Sequence, residues 1–68
     1  MVKLNNLKAR MAELEMGMEE FAKAVDIHVS TLYRKMRAPE DFYLRELRKI
    51  KAALQLSPEQ MAEIFFDD

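Results

Sequence analysis

The stretch FAKAVDIHVSTLYRKM, residues 21–36, decides the fold of this chain because it places two short apolar stripes around a tight turn. The stripe before the turn consists of Phe21, Ala22 and Val25. The stripe after it consists of Leu32 and Met36, four residues apart. Both spacings are helical, and Asp26 between them is a residue type that tolerates a left-handed backbone. The pattern predicts helices over residues 19–25 and about 29–37, joined by the turn 26–28.

A helix-turn-helix requires a small residue where its helices cross, an apolar residue in the turn, and a buried side chain that fixes the second helix. Ala22, Ile27 and Leu32 meet these requirements in that order. Pro39 ends the second helix because it lacks the backbone donor and disfavours helical geometry at Ala38. We therefore expect a helix-turn-helix over about residues 18–37.

The segment before this stretch is predicted to be one helix. Its buried face consists of Leu7, Met11 and Leu14. Asn5 or Asn6 is the expected cap, since a short polar side chain accepts from the free N–H groups of a first turn. Gly17, the single glycine, is the expected left-handed residue after the last turn.

The segment after this stretch predicts two further helices, over about residues 44–66. The first turns Leu47, Ile50 and Leu54 inward and Arg45, Arg48, Lys49 and Lys51 outward. The second begins at SPEQ, residues 57–60, where Ser57 and Gln60 have the spacing of a capping box. Its apolar face consists of Met61, Ile64 and Phe65. The expected fold is an all-α compact bundle of about five short helices, a single domain over residues 1–68.

Size and composition narrow the functional classes. A chain of 68 residues has room for one small core. It has no cysteine for disulfides or thiolate metal sites, and one histidine. We identify no nucleophile–base pair, glycine-rich phosphate loop, cofactor motif or metal cluster, so an enzyme is not expected. No segment is long and apolar enough for a membrane span, and the charged first ten residues are not typical of a signal peptide, which favours the cytoplasm.

The charge is segregated along the chain, although the total is only −1. Residues 27–54 contain seven basic and three acidic side chains, whereas residues 13–26 contain one basic and five acidic. The last fourteen residues contain four acidic side chains and no basic one. A locally basic surface of this kind can attract phosphate. Ordinary solvated helix faces would give the same pattern, so charge alone does not decide between them.

The run FAKAVDIHVSTLYRKM resembles the helix-turn-helix of the Cro and phage-repressor family, also called the xenobiotic-response-element type. The family pattern is Leu-Ala-x-x-x-Gly-(Val/Ile)-Ser-x-x-Thr-(Ile/Leu)-x-(Arg/Lys). The matching positions are Phe21, Ala22, Ile27, Thr31 and Leu32. The run FYLRELRKIKAALQLSPEQMAEIFF is similar to the last two helices of a short phage-type regulator variant. The resemblance covers about residues 7–66 and implies a lambda-repressor-like domain.

Three positions depart from the family pattern. Asp26 stands where the family has glycine, at some cost in backbone energy. His28 replaces serine, so we expect the hydroxyl cap of the second helix to be missing, a loss of about 1 kcal/mol. Glu19 and Glu20 stand where the family offers Ser/Thr and Gln, and their carboxylates would repel a phosphate at that helix end.

The resemblance implies a sequence-specific transcriptional regulator, a repressor of phage or bacterial type, which lays helix 29–37 in the major groove of double-stranded DNA. Its expected DNA-binding residues are His28, Val29, Ser30, Tyr33, Arg34, Lys35 and Arg37. Arg34 is the expected base reader, since a guanidinium pairs in bidentate fashion with guanine. Lys35 and Arg37 are expected on phosphates. Tyr33 packing on a neighbouring helix and His28 as a plain turn residue are the alternatives.

Regulators of this type usually act as dimers on inverted-repeat operators, with half-sites about 34 Å apart. We expect a homodimer contact in the last helix, at Ile64, Phe65 and Phe66. Adjacent phenylalanines point in different directions, so one core-facing stripe does not easily bury both; the alternative is that both cover the domain's own core. A rival function is a protein–protein interaction module on the same fold, which the acidic segments would serve and which would not bind DNA.

Overall fold

The computed structural model describes residues 3–66, which form five α-helices and no strand. The helices are α1 (Leu4–Glu13), α2 (Met18–Val25), α3 (Val29–Arg37), α4 (Leu44–Ala53) and α5 (Pro58–Met61). A 3-10 turn, Pro39–Asp41, joins α3 to α4, and a π-helical turn, Ala62–Phe66, continues α5. The all-α prediction is confirmed. The bounds of α3 coincide with the predicted ones, and α2 begins one residue earlier than predicted.

The core is assembled from the predicted apolar stripes. Six of its side chains have less than 2 % of their surface exposed: Leu7, Phe21, Val25, Leu32, Ile50 and Leu54. The remaining buried apolar residues are Met11, Ala22, Met36, Phe42, Leu56, Met61, Ile64 and Phe65. Every helix therefore contributes to one continuous cluster, and α2 packs between α3 and α4.

Three helix ends use a left-handed residue, and none of the three is glycine. Glu15, Asp26 and Gln55 have φ values of 53°, 58° and 52°. In each case the N–H of the following residue returns to a carbonyl of the last helical turn, as with Ile27 N–H to Ala22 O at 3.0 Å. The residues that follow are apolar and pack against the core (Met16, Ile27 and Leu56). Their burial holds the preceding residue in the left-handed conformation.

Two predictions at the ends of α1 are wrong. Gly17 has a φ of −83° and stands before the first residue of α2 rather than after the last turn of α1. Glu15 takes the left-handed position instead, because Met16 and not Gly17 is the residue that packs inward. Asn5 and Asn6 lie inside the first turn of α1, which begins after Lys3 and has no side-chain cap. Lys3 N–H donates to Ile64 O at 2.8 Å, which ties the residue before α1 to the π-helical turn.

The C-terminal helices are built as predicted, with one consequence for the expected dimer contact. Ser57 Oγ accepts from Gln60 N–H at 3.1 Å, and Gln60 Oε1 accepts from Ser57 N–H at 2.8 Å, which completes the capping box. Phe65 is buried and meets the ring of Phe42 edge-on at 5.8 Å. Ile64 is buried beside it, whereas Phe66 is 64 % exposed. Ile64 and Phe65 are therefore part of the domain's own core, and the prediction that they form a dimer contact is wrong.

Candidate nucleic-acid interface

The corner between α2 and α3 is fixed by three buried or half-buried side chains. Ala22 is 4 % exposed, and its carbonyl accepts the N–H of Ile27 in the turn. Ile27 is half-buried against the core, and Leu32 is fully buried below the start of α3. Any larger side chain at Ala22 would push the two helices apart, since interiors are packed to the density of crystals. The crossing angle is thereby set by residues that the sequence identifies.

His28 caps α3, contrary to the expectation that the cap is lost. Its Nδ1 accepts from Ser30 N–H at 3.3 Å and lies 2.9 Å from Ser30 Oγ. Because Nδ1 accepts, the ring carries its proton on Nε2, which leaves a donor at the tip of the helix. The imidazole thus performs the task of the family's serine. It also holds the hydroxyl of Ser30, so these two candidate residues form one unit.

One face of α3 is open to solvent along its whole length. Its exposed side chains follow the spacing of a single helical stripe: Ser30, Tyr33, Arg34 and Arg37. Tyr33 is 48 % exposed, so the alternative in which its ring packs on a neighbouring helix is not what the structure adopts. Val29 is half-buried at the edge of the stripe. We call these four exposed residues the α3 stripe.

Arg34 is held by a carboxylate from the 3-10 turn. Its Nη1 donates to Asp41 Oδ2 at 3.3 Å, and the two side chains are 62 % and 48 % exposed. An exposed pair of this kind contributes about 0–1 kcal/mol to stability. The contact therefore does little for the fold, but it places a negative charge beside the expected base reader.

Lys35 does not lie on the exposed face, so its predicted phosphate contact is wrong. The residue is 6 % exposed, and its ammonium donates to both oxygens of Glu46, at 2.7 and 2.9 Å. The same ammonium lies 4.4 Å from the centre of the Tyr43 ring, over which Arg45 also sits at 4.7 Å. Position 35 is three residues after the buried Leu32, so the two side chains share one face of α3. Lys35 therefore ties α3 to the start of α4.

Glu46 is the anionic centre of this cluster. Burial alone would raise the pKa of Glu46, but the hydrogen bonds from Lys35 and from Tyr43 N–H, with the charges of Lys35 and Arg45, together lower it below the ordinary value of 4.5. The Tyr43 N–H bond is 2.8 Å long and also satisfies the start of α4. The roles of Glu46 and Asp41 as partners of Lys35 and Arg34 were not predicted from the sequence, because each meets its partner only after the chain turns at Pro39.

The start of α2 is acidic, as the sequence indicates. Glu19 and Glu20 are exposed there. A shallow cleft of about 450 Å³ lies beside them, between α2 and the start of α3, and is lined by Glu19, Lys23, Asp26, His28 and apolar residues. The mixed charges of this cleft do not favour binding of a phosphate.

Among residues 3–66, no three histidine, aspartate or glutamate side chains are grouped closely enough to hold a metal ion. No helix within that range has the length and apolar character that crossing a bilayer requires.

Comparison with protein families agrees with the geometry. A family model described as the Cro/C1-type HTH DNA-binding domain matches residues 6–67. Searches of the curated proteins and of the solved structures gave no match. The match begins within α1 and includes α2 to α5, and it confirms the resemblance read from the sequence.

Proposed function

Because the chain belongs to the Cro/C1-type HTH DNA-binding domain family, we propose that it is a sequence-specific transcriptional regulator, a repressor of phage or bacterial type, which acts in the cytoplasm of a bacterial cell or phage-infected host. The observation that carries the proposal is the α3 stripe: four polar or cationic side chains exposed on one face of the second helix, while Leu32 and Met36 hold the opposite face in the core. This is the arrangement that lets a recognition helix enter the major groove.

Each exposed residue has a role that follows from its chemistry. Arg34 is suited to a guanine, whose O6 and N7 accept two bonds from one guanidinium. Ser30 and Tyr33 offer hydroxyls to bases or phosphates, and Val29 offers methyl groups to a thymine. Arg37, at the end of α3, is placed to contact a phosphate, which positions the protein without reading sequence. His28 adds its Nε2 donor at the tip of the helix.

The proposal includes a homodimer, whose contact surface keeps Phe66 from the predicted set and no longer includes Ile64 and Phe65. An apolar groove of about 290 Å³ lies between α4 and α5, lined by Leu44, Leu47, Met61, Ala62 and Phe66. Leu44 and Phe66 are each 64 % exposed, which is unusual for adjacent large apolar side chains on a monomer. We call this surface the α4–α5 groove.

The α4–α5 groove suits a second copy of this chain by charge. Arg48 and Lys51 line it on the α4 side, whereas Glu59 and Glu63 are exposed on the last helix. A two-fold axis that places α4 of one copy against α5 of the other pairs these opposite charges twice. Phe66 of each copy would then fill the groove of its partner, for roughly 1.5–3 kcal/mol per ring.

Selection of preferred sites from random duplex DNA tests the function directly. We expect inverted repeats, with half-sites about one helical turn apart. Arg34→Ala should weaken binding to the selected site by about 1–3 kcal/mol and relax preference at one base pair. Lys8→Ala, an exposed cation on α1, is the matched control and should bind like the wild type. Unchanged affinity and base preference in Arg34→Ala would remove Arg34 from the reading set.

The rival proposal is a protein-interaction module that does not bind DNA, and the exposed Glu19 and Glu20 at the start of α2 favour it. Salt dependence separates the two. Logarithmic DNA affinity falls with logarithmic salt concentration, with a slope of about −0.9 per neutralised phosphate. Absence of any duplex binding at low salt would support the rival.

A further inference from the structure

Arg34 on α3 and Asp41 in the 3-10 turn form an ion pair at the surface. We propose that Asp41 is a positioning residue that determines specificity: its carboxylate holds one end of the Arg34 guanidinium, so that the remaining edge is presented to a guanine. This inference rests on the proposed function, because it concerns the base contact made by α3.

The hydrogen bond to Asp41 leaves the Nε–Nη2 edge of the Arg34 guanidinium available for a base. Only Nη1 donates to Asp41, at 3.3 Å. A guanidinium has five N–H donors in a fixed plane, so Nη2 and Nε still form an edge with parallel donors. Such an edge is what bidentate pairing with guanine O6 and N7 requires. Asp41 can therefore remain bound to Arg34 while Arg34 binds the base.

The backbone of Asp41 is held in place by hydrogen bonds, whereas the Arg34 side chain has no other anchor than Asp41 within residues 3–66. Asp41 N–H donates to Ala38 O at 2.9 Å, and the next N–H, that of Phe42, donates to Pro39 O at 3.1 Å. Phe42 is 8 % exposed and packs on Phe65, which anchors the 3-10 turn to the core. Arg34, in contrast, is an exposed side chain with many rotamers. The carboxylate restricts those rotamers before DNA arrives, and prior ordering of this kind raises affinity.

The negative charge of Asp41 lowers DNA affinity, whereas its positioning of Arg34 raises it, and this opposition makes the proposal testable. A carboxylate near the DNA backbone repels phosphates and lowers affinity for every sequence. Removing it should therefore raise non-specific binding, whereas loss of Arg34 positioning should lower binding to the selected site alone. Glu40 is the matched control, because it is an exposed carboxylate of the same turn, one residue away.

The experiment measures three affinities for the full chain and its Asp41→Ala, Glu40→Ala and Arg34→Ala variants. The DNA probes are the selected duplex, the same duplex with the guanine read by Arg34 replaced, and an unrelated duplex. We expect Asp41→Ala to reduce discrimination between the first two duplexes by about two- to fivefold, because the exposed ion pair is itself weak and limits how far it can order Arg34. Both Asp41→Ala and Glu40→Ala should bind the unrelated duplex more tightly, and Glu40→Ala should keep the wild-type discrimination. Thermal unfolding of each variant reports on the fold.

The outcomes separate this inference from the proposed function. If the wild type selects a site and Arg34→Ala loses discrimination while Asp41→Ala keeps it, Asp41 does not position Arg34 and the inference is wrong on its own. The same conclusion follows if Asp41→Ala and Glu40→Ala change discrimination equally. If the wild type selects no DNA site, the proposed function fails and this inference fails with it.

Discussion

Glu46→Ala is expected to destabilise the fold more than any surface substitution, because it leaves the ammonium of Lys35 buried without a counter-charge. Lys35 is 6 % exposed and donates both of its short bonds to Glu46. Removing one partner of a buried ion pair costs about 3–5 kcal/mol. Glu46 also accepts from Tyr43 N–H, a bond of about 1 kcal/mol. Because the Glu46 side chain is still 14 % exposed and water can reach the site, we take the low end, about 3 kcal/mol.

That loss is large for a domain of this length. At about 0.05–0.15 kcal/mol per residue, the whole fold is stable by only about 3–10 kcal/mol. At about 4–8 °C per kcal/mol, Tm should fall by about 12–24 °C. Urea denaturation followed by circular dichroism at neutral pH measures the free energy of unfolding. Glu40→Ala is the control and should lie within about 0.5 kcal/mol of the wild type, since Glu40 is exposed.

A second substitution identifies the cause. Lys35→Met keeps the length of the side chain but removes its charge, and a buried pair replaced by apolar groups is often neutral in stability. The double variant Lys35→Met, Glu46→Ala should therefore be more stable than Glu46→Ala alone. The reasoning would be refuted if Glu46→Ala cost less than about 1 kcal/mol, or if Lys35→Met gave no rescue.

Three further predictions concern pH, the α3 cap and the α4–α5 groove. Because the pKa of Glu46 is lowered in the folded state, the stabilisation from its carboxylate is complete above the ordinary value of 4.5 and is lost as pH falls through the folded value. Urea titrations across the acid range should therefore show a smaller decrease in the free energy of unfolding for Glu46→Gln than for the wild type. Equal dependence of that free energy on pH in the two proteins would contradict this. His28→Ala should cost about 1 kcal/mol and His28→Ser much less, since only a side-chain acceptor caps α3; equal unfolding free energies for the two variants would show that the imidazole is not a cap. Phe66→Ser should weaken self-association in sedimentation equilibrium and should leave Tm nearly unchanged at concentrations where both proteins are monomeric, because the ring is 64 % exposed. A wild type that stays monomeric at all concentrations would exclude the dimer.

The sequence predicted the helices well where short-range chemistry fixes them. The bounds of α3 follow from Asp26, which turns the chain, and Pro39, which cannot continue a helix. The capping box at Ser57 is likewise a local pattern, with both bonds made between residues three apart. The end of α1 was predicted wrongly: Gly17 was expected to take the left-handed conformation, but Glu15 takes it because Met16 packs against the core.

The charged part of the site was harder to predict, since its partners are distant in sequence. Lys35 lies about 60° from Leu32 on the helical wheel, at the edge of the buried face, but the carboxylate that compensates it is eleven residues away. Asp41 is seven residues from Arg34 and reaches it only because the 3-10 turn reverses the chain. The imidazole cap was missed for a different reason: histidine ranks behind serine, asparagine and aspartate as a cap.

The ion pairs Arg34–Asp41 and Lys35–Glu46 reduce the positive charge that α3 presents at the surface. The sequence places three cations on α3, at 34, 35 and 37. In the fold, Lys35 is neutralised by Glu46 and Arg34 is paired with Asp41, so the field in front of α3 is weaker than a count of charges suggests. Non-specific affinity comes almost entirely from phosphate neutralisation. If the proposed function holds, a domain with few unpaired cations on α3 would obtain its affinity from base contacts and from duplication of the site in the proposed dimer. On the proposed function, a chain with a net charge of −1 would gain selectivity in this way: the local carboxylates would lower binding to every sequence, and an Arg34 oriented by Asp41 would lower the cost of binding only the correct one.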